Sequence, residues 1–534
     1  MSGETAEFDF VIVGAGSAGC VLASRLSADG KASVALMEAG GKDSSPLIGM
    51  PMGIGPLLGR PGPYNWYFHS TPQRGLGGRS LYQPRGKGWG GSSSINGMIY
   101  MRGHPRDYDD WRDAGCTGWG WDDVLPYFKR AEHFSAGADE WHGGEGPLFV
   151  SPPDSRNPLY KAFIEAGKEA GYSETRDFNG AVHDGFGMFH LTMKDGRRWS
   201  AADAYLHPAL SRRKLEVFSN AQATKIVFDG RRAVGVDYAA GPEKPVKRVK
   251  ARREVIVCAG AFQSPHLLML SGVGDAEALG ALGIDLVAHA PRVGRNLHDH
   301  LNVSLVIECT QPLTSTSLAR KVGLSAILAQ YGGRQGPGRW NFLEAGAFVK
   351  TRGDLDRPDL QLHFFAAPMS DNGRADFDVE AFSIQACALY PQSRGTVALE
   401  SADPFAPPLI DPNYLGVEGD INALRDGVRI VRLVAGQPIL SLYRGAEILP
   451  GPGVVTDAQI DAWIKHSAET IYHPAGTCAM GADAAAVTDS RLRVRGVEGL
   501  RVVDASVMPK LIGGNTNAAI TMIAEKAAAL IGEA

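Results

Sequence analysis

Residues 8–38 carry the pattern that most constrains the fold of this chain: an apolar strand, a glycine-rich turn, a helix and a second strand that ends on an acid. The turn has Gly14, Gly16 and Gly19 in the spacing Gly-x-Gly-x-x-Gly, and Glu38 follows Gly19 by 19 residues. In a βαβ unit these glycines permit a tight turn, close approach to a pyrophosphate and packing of helix on strand, while the acid binds ribose hydroxyls. A glycine turn without a ligand is the alternative, but its surroundings favour a dinucleotide site. The motif does not separate FAD from NAD.

A second glycine cluster, at 86–96, reads Gly-Lys-Gly-Trp-Gly-Gly-Ser-Ser-Ser-Ile-Asn. Its glycines allow backbone geometry that other residues avoid, and its serines and Asn96 supply hydrogen-bond donors and acceptors. Arg85 and Lys87 are suited to balance phosphate charge. Because large apolar residues such as Trp89 interrupt the cluster, a flexible linker is disfavoured. The cluster therefore predicts a packed segment that contacts a cofactor.

The composition is typical of a soluble globular protein. A chain of 534 residues with 44% hydrophobic and 21% charged residues suits roughly two to four domain-sized units, or one large composite fold. The formal net charge of −4 argues against a nucleic-acid partner. The six cysteines contain no Cys-x-x-Cys pair, so a metal site has little support and buried free thiols in a reducing compartment are favoured.

The N-terminus lacks a signal-peptide pattern, and no apolar run reaches about 18 residues. We therefore expect a cytoplasmic protein without a transmembrane segment. Peripheral membrane contact and the oligomeric state stay open.

Strand-like and helical patterns alternate along the chain without an internal repeat or a disordered linker. Residues 40–95 are rich in glycine and proline, and so long a loop needs a functional reason, such as covering an extended cofactor. Interleaved patterns of this kind predict two domains that share the chain. The strand-like runs are 214–238, 254–259, 302–308, 359–365 and 382–389, and the helical patterns are 120–135, 260–270, 419–435, 456–467 and 515–531.

These motifs together resemble the glucose–methanol–choline (GMC) oxidoreductase family. Residues 86–109 are similar to the first signature of that family and residues 260–274 to the second. The resemblance extends from Phe8 to about Ile531 and is closest to bacterial FAD-dependent alcohol and choline dehydrogenases. Further matching segments are 293–300, 472–477 and 503–506.

The resemblance implies an α/β fold with two domains and a bound FAD. A Rossmann-like FAD-binding domain is expected from the discontinuous segments 1–155, 205–305 and 465–534, and a substrate-binding domain, a sheet backed by helices, from 156–204 and 306–464. By position in the family motifs, the expected FAD contacts are Gly14, Gly16, Ser17, Ala18, Gly19, Glu38, Arg85, Gly91, Ser92, Asn96, Gly97, Ala223, Asp504, Ala505, Asn515 and Thr516.

One position departs from part of the family. Some members attach FAD covalently through a histidine beside the asparagine of the first signature, and this chain has Ile95 there. Isoleucine cannot form that bond. We therefore expect non-covalent FAD.

The resemblance also assigns a catalytic pair, His473 and Asn515. It implies oxidation of a primary alcohol to the aldehyde, with hydride transfer to flavin N5, His473 as proton acceptor and Asn515 as hydrogen-bond donor to the alcohol oxygen. Electrons would pass to a quinone-type acceptor or to oxygen. Choline dehydrogenase or oxidase activity, a hydroxynitrile lyase-like reaction with a redox-silent flavin, and a non-catalytic flavoprotein are the alternatives.

The substrate side is less constrained by the sequence. Glu344 matches an acidic position that meets the ammonium group in choline-oxidising members, but a pairing or structural role fits equally well. Phe365 and Tyr472, together with Met369 and Leu511, are expected to line an apolar pocket.

Overall fold

The N-terminal strand, Glu7–Val13, lies inside the first of two large sheets. The structure is a computed structural model that describes residues 6–153, 157–318, 337–375 and 377–533. It pairs in parallel with Val34–Met37 on one side and with Lys247–Val257 on the other. Its apolar residues are buried because helices and neighbouring strands cover both faces. The sheet is completed by Leu215–Phe218, Gln222–Asp229, Arg232–Ala239 and Leu500–Val502.

Helices from distant parts of the sequence cover this sheet. Ser17–Leu26, which follows the glycine turn, packs against Asn517–Gly532 near the C-terminus. Trp121–Ala131 packs on the second of these, and Gly260–Leu270 packs against Gln222–Asp229. Their apolar residues form one core cluster with the strands, so the first and last segments of the chain fold as one unit.

The second sheet is antiparallel and has two different faces. Alternate residues such as Leu362, Phe364 and Ile384 belong to a core cluster shared with the helices Pro158–Glu169, Glu418–Ala435 and Asp457–Ser467. The residues between them point to the opposite face because side chains alternate along a strand. The strands are Gly185–Met188, Leu301–Cys309, Ala345–Val349, Leu360–Phe365, Ala381–Ala388, Arg444–Leu449 and Glu469–Thr470.

Shorter elements fill the connections. The helices are Pro46–Gly49, Ile54–Gly59, Pro105–Asp113, His207–Ala209 and Ala276–Ala281. The strands are Phe68–His69, Tyr82–Gln83, Glu132–Phe134, Leu148–Val150, Met193–Lys194, Arg197–Arg198, Val273–Gly274, Ala288–His289, Arg295–Leu297, Gly395–Ala398 and Leu409–Asp411.

The α/β fold class is confirmed, and the first sheet is assembled from separated segments as expected. The division into domains stays a prediction; the strand Leu301–Cys309 crosses the expected boundary at 305 and lies wholly in the second sheet. The helix expected over 120–135 ends at Ala131 instead. The next residues form the strand Glu132–Phe134, which pairs in parallel with Leu148–Val150.

All six cysteines are buried and unpaired, as favoured from the sequence. None of the helices in the described part of the chain has both the length and the apolar character that a membrane crossing requires.

Glu132, the first residue after this helix, belongs to a buried charge network. The carboxylate of Glu132 lies 2.7 Å from the guanidinium of Arg102 and 3.0 Å from Nδ1 of His142. Nε2 of His142 lies 2.8 Å from a carboxylate oxygen of Asp177. Burial alone lowers the pKa of His142, but its hydrogen bonds to Asp177 and Glu132 outweigh burial and raise this pKa to about 9.

We expect His142→Gln to lower the melting temperature, because breaking a buried charge network typically costs about 3–5 kcal/mol. Because the pKa of His142 is raised in the folded state, its charge stabilises the fold fully below pH 6.5. This stabilisation is lost as pH rises through about 9. The loss of melting temperature should therefore shrink between those values. The exposed His466→Gln serves as control. A penalty that does not change with pH would contradict the charged state of His142.

Candidate active site

A cavity of about 520 Å³ runs from the glycine turn of the first sheet to one face of the second sheet. Its walls include both glycine clusters and the loop that carries His473. Three helices begin at its edge, at Ser17, Gly260 and Asn517. Because helix N-termini offer unpaired N–H groups and partial positive charge, this end of the cavity suits an anionic ligand.

The three glycines of the first turn have different surroundings. Gly14 has φ of +102°, and a Cβ there would lie 2.5 Å from the carbonyl oxygen of Cys258. A Cβ on Gly19 would lie 1.8 Å from the carbonyl oxygen of Gly14, so helix and turn approach closely only because this residue is glycine. A Cβ on Gly16 meets nothing within 4 Å, because this residue faces the cavity. The backbone at Gly16 is therefore free to contact a ligand.

Glu38 ties the two glycine clusters together. Its buried carboxylate accepts hydrogen bonds from the N–H groups of Ala15 at 2.8 Å, Gly40 at 2.8 Å and Gly88 at 2.9 Å. A carboxylate accepts about four hydrogen bonds, so capacity for one more partner remains at the cavity wall. Burial raises the pKa of Glu38, and these three backbone donors oppose that shift.

Asp504 also joins separate segments of the cavity wall through hydrogen bonds to its carboxylate. One carboxylate oxygen accepts from the N–H of Gly260 at 2.9 Å and from the hydroxyl of Ser264 at 2.5 Å. The other accepts from the N–H and the hydroxyl of Ser506. The second signature therefore supports the cavity by joining the helix Gly260–Leu270 to the segment after Leu500–Val502.

The structure brings nearly all of the expected cofactor residues to this cavity. Gly19 does not reach it and packs behind Gly14. The expected contacts that line the cavity are Gly14, Gly16, Ser17, Ala18, Glu38, Arg85, Gly91, Ser92, Asn96, Gly97, Ala223, Asp504, Ala505, Asn515 and Thr516.

The backbone of His473 is anchored by Asp299, a residue that the sequence did not single out. The N–H of His473 donates to Asp299 Oδ1 at 2.7 Å, and Oδ2 accepts from the hydroxyls of Thr470 and Tyr414. Tyr472 adopts φ of 72°, a left-handed conformation that is rare for a non-glycine residue. Asp299 thus holds a tight loop on which the imidazole of His473 faces the cavity.

His300 fixes the tautomer of His473. Its Nε2 lies 2.9 Å from the carbonyl oxygen of Leu389, which only accepts, so this nitrogen carries the proton. Burial lowers the pKa of His300 to about 4, so its imidazole is neutral and its Nδ1 is an acceptor; this Nδ1 lies 2.9 Å from Nδ1 of His473. The proton of His473 must then be on Nδ1. Its Nε2 keeps a lone pair that can accept a proton.

Asn515 lies opposite this lone pair. Its Oδ1 accepts from Nε2 of Gln361 at 3.1 Å, which turns its Nδ2 toward His473. Nδ2 of Asn515 lies 3.4 Å from Nε2 of His473. A ligand oxygen near both groups would meet one acceptor and one donor, as a hydroxyl group requires.

Burial keeps the imidazole of His473 neutral. It lowers the pKa of His473 well below the usual 6.5, and the neighbouring His300, His363 and Arg85 lower it further. A neutral imidazole in a cavity, with its free nitrogen defined by a partner, is arranged to act as a base.

The expected substrate residues divide into two groups. Phe365, Tyr472 and Met369 line the cavity. Glu344 and Leu511 are buried and are absent from its walls. Oε1 of Glu344 accepts from the N–H of Asn341 at 3.2 Å, a pairing role within the loop before Ala345–Val349.

Comparison with known proteins gives consistent matches. Two family models described as GMC oxidoreductase match residues 8–302 and 391–524. An oxygen-dependent choline dehydrogenase of Brucella anthropi is 46% identical over 98% of this chain and 95% of its own length. An alcohol dehydrogenase [acceptor] of Pseudomonas putida is also 46% identical, with the same coverage. The crystal structure of pyridoxine 4-oxidase from Mesorbium loti has a TM-score of 0.89 and 34% identity, and the match covers 98% of this chain and 99% of that one.

Proposed function

The chain belongs to the GMC oxidoreductase family, and on that premise we propose that it oxidises a primary alcohol to the aldehyde with non-covalent FAD, using His473 as the proton acceptor. The observation that carries the proposal is the cavity-facing Nε2 of His473, whose lone pair is fixed by the hydrogen bond to His300. Electrons leave the enzyme to a quinone-type acceptor or to oxygen.

The residues at the end of the cavity beside the glycine turn, which suits an anionic ligand, fit FAD. Gly16 leaves room for a pyrophosphate, the helix beginning at Ser17 offers N–H groups to it, and Glu38 has acceptor capacity for a ribose hydroxyl. When bound, FAD supplies the acceptor for the hydride that leaves the carbinol carbon. Asn96 and Thr516 also line the cavity.

The protein residues orient the alcohol and take its proton. The substrate hydroxyl donates to Nε2 of His473 and accepts from Nδ2 of Asn515. Nε2 of His473 then receives the proton as the carbon–hydrogen bond breaks. The 2.9 Å contact to His300 keeps the ring from rotating, so the base meets the hydroxyl in one orientation.

The pH dependence of flavin reduction should report the lowered pKa of His473. A base with a depressed pKa is neutral and competent above it, and it is lost only as pH falls through that value. We expect a flat rate from about pH 6.5 upward and a decline well below 6.5. Anaerobic stopped-flow rates across pH check this. A decline centred above 6.5 would contradict a neutral, buried base.

Ile95 predicts that FAD leaves the denatured chain. This residue lines the cavity and packs against Ile48 and Leu57, with no nucleophilic atom to bond the flavin. After acid or heat precipitation, we expect the yellow chromophore in the supernatant. Flavin that stays with the washed precipitate would show a covalent link.

A steady-state screen tests the proposed activity. Choline, aliphatic, benzylic and furanic alcohols are compared, each with oxygen and with an artificial quinone as acceptor. Aldehyde formation with at least one primary alcohol supports the proposal, and the faster acceptor separates oxidase from dehydrogenase. No aldehyde and no flavin bleaching with any alcohol would contradict it and would favour a redox-silent flavin.

A further inference from the structure

Two polar side chains face the substrate end of the cavity and have no hydrogen-bond partner among the described residues. His363 and Gln385 lie directly opposite each other on the neighbouring strands Leu360–Phe365 and Ala381–Ala388. They are only 3% and 5% exposed. Within the described part of the chain, neither side chain makes a hydrogen bond, and Nδ1 of His363 is fully enclosed. Buried polar groups are normally paired, so this pair has the features of a ligand contact.

Both groups are uncharged. Burial lowers the pKa of His363 to about 3, so its imidazole is neutral and offers one donor and one acceptor. The Gln385 amide offers the same combination. Together they are suited to a neutral hydroxyl, carbonyl or amide rather than to an ion.

None of the described residues that line this end of the cavity carries a negative charge for a cation. The carboxylates among its described lining residues are Glu38 and Asp504, which lie at the dinucleotide end. The lining residue Arg85 is positively charged, and its guanidinium donates to the carbonyl oxygen of Tyr472, next to His473, at 2.6 Å. Aromatic faces attract a cation, but each contact returns less free energy than the desolvation of a buried ion costs. A cationic alcohol therefore lacks compensation at this end of the cavity.

The strand Leu360–Phe365 supports both the Asn515 side of the cavity and His363. Gln361 donates a hydrogen bond to Asn515. His363 lies two residues further along the same strand, so its Cα is about 7 Å from that of Gln361. Phe365, two residues beyond His363 on the same strand, and Met369 add apolar side chains to this end of the cavity. An aromatic ring with a carbinol at one end and a polar group in the para position keeps its two polar groups apart and presents apolar faces to Phe365 and Met369.

We propose that the substrate is an uncharged aromatic primary alcohol whose second polar group, opposite the carbinol, hydrogen-bonds to His363 and Gln385, and that a quaternary ammonium alcohol such as choline is a poor substrate. The inference rests on the proposed alcohol oxidation and adds the substrate class to it.

Anaerobic stopped-flow flavin reduction tests the proposal with 4-hydroxybenzyl alcohol, 4-methylbenzyl alcohol and choline. A site that hydrogen-bonds its substrate rejects an analogue without the polar group, so the hydroxy compound should reduce the flavin at least about tenfold more efficiently than the methyl compound. Choline should be slower still. In Gln385→Met the preference between the two benzyl alcohols should fall toward one. The surface variant Gln437→Met should keep it.

The results of these measurements separate failure of the proposed substrate class from failure of the proposed alcohol oxidation. Equal efficiency of the two benzyl alcohols in the wild type, an unchanged preference in Gln385→Met, or choline reacting as fast as 4-hydroxybenzyl alcohol would overturn the substrate class while leaving alcohol oxidation intact. Flavin that none of the alcohols reduces would overturn the proposed function, and this inference with it. Retained flavin absorbance and melting temperature show that Gln385→Met is folded.

Discussion

Replacing His473 with alanine is expected to lower the rate of alcohol-driven flavin reduction by about 10²–10⁴-fold, with FAD still bound. General-base assistance is typically worth that factor, and no other base among the described residues faces Asn515 as Nε2 of His473 does at 3.4 Å. The backbone of residue 473 is held by Asp299 whatever its side chain, so the loop should keep its course. Stopped-flow reduction and the flavin spectrum of the purified variant measure both effects.

His466→Ala is the matched control, because His466 is exposed on the helix Asp457–Ser467 shortly before the loop. It should reduce at the wild-type rate. A His473→Ala variant with intact flavin and near-normal reduction would remove His473 from the chemistry. Loss of flavin from the same variant would instead show a role in holding the cofactor.

Replacing Gly16 with valine is expected to abolish FAD binding and leave the fold intact. The first added carbon meets nothing within 4 Å, whereas the two methyl groups beyond it extend into the space proposed for the pyrophosphate. Gly16 has φ of −77° and ψ of −165°, an extended conformation that valine also adopts. We expect flavin content below about one tenth of wild type, a loss of more than about 1.4 kcal/mol in binding. Absorbance and circular dichroism of the purified protein measure content and fold.

Gly280→Val is the control for this change. Gly280 is exposed in the helix Ala276–Ala281, and a Cβ there also meets nothing within 4 Å. It should keep the flavin. Full flavin content in Gly16→Val would place the pyrophosphate elsewhere, and loss of secondary structure would show that Gly16 is needed for folding.

Local patterns predicted the dinucleotide end of the cavity because its requirements are local. Gly14, Gly16 and Gly19 act within six residues, and the strand before them and the helix after them follow from apolar spacing. Glu38 was placed correctly at the cavity, but one of its three backbone donors is Gly88 of the second glycine cluster, a contact that spans 50 residues and has no local signal.

The residues that orient His473 and Asn515 were missed because their contacts also join distant parts of the sequence. Asp299, His300 and Gln361 are 174, 173 and 154 residues from the partners they hold. The segment 293–300 was recognised as similar to the family, and its acid and histidine, placed directly before the strand Leu301–Cys309, were the available signal. For Glu344 the sequence left a substrate contact and a pairing role equally open; its side chain lies outside the cavity wall and accepts from the N–H of Asn341.

The most direct test of the account is anaerobic reduction of the bound flavin by 4-hydroxybenzyl alcohol and by the same alcohol with both carbinol hydrogens replaced by deuterium. If His473 takes the hydroxyl proton while the carbinol carbon gives up hydride, the oxidised-flavin absorbance bleaches, the deuterated alcohol reacts several-fold more slowly, and His473→Ala loses most of the rate. A flavin that this and other primary alcohols leave oxidised would contradict alcohol oxidation at this site.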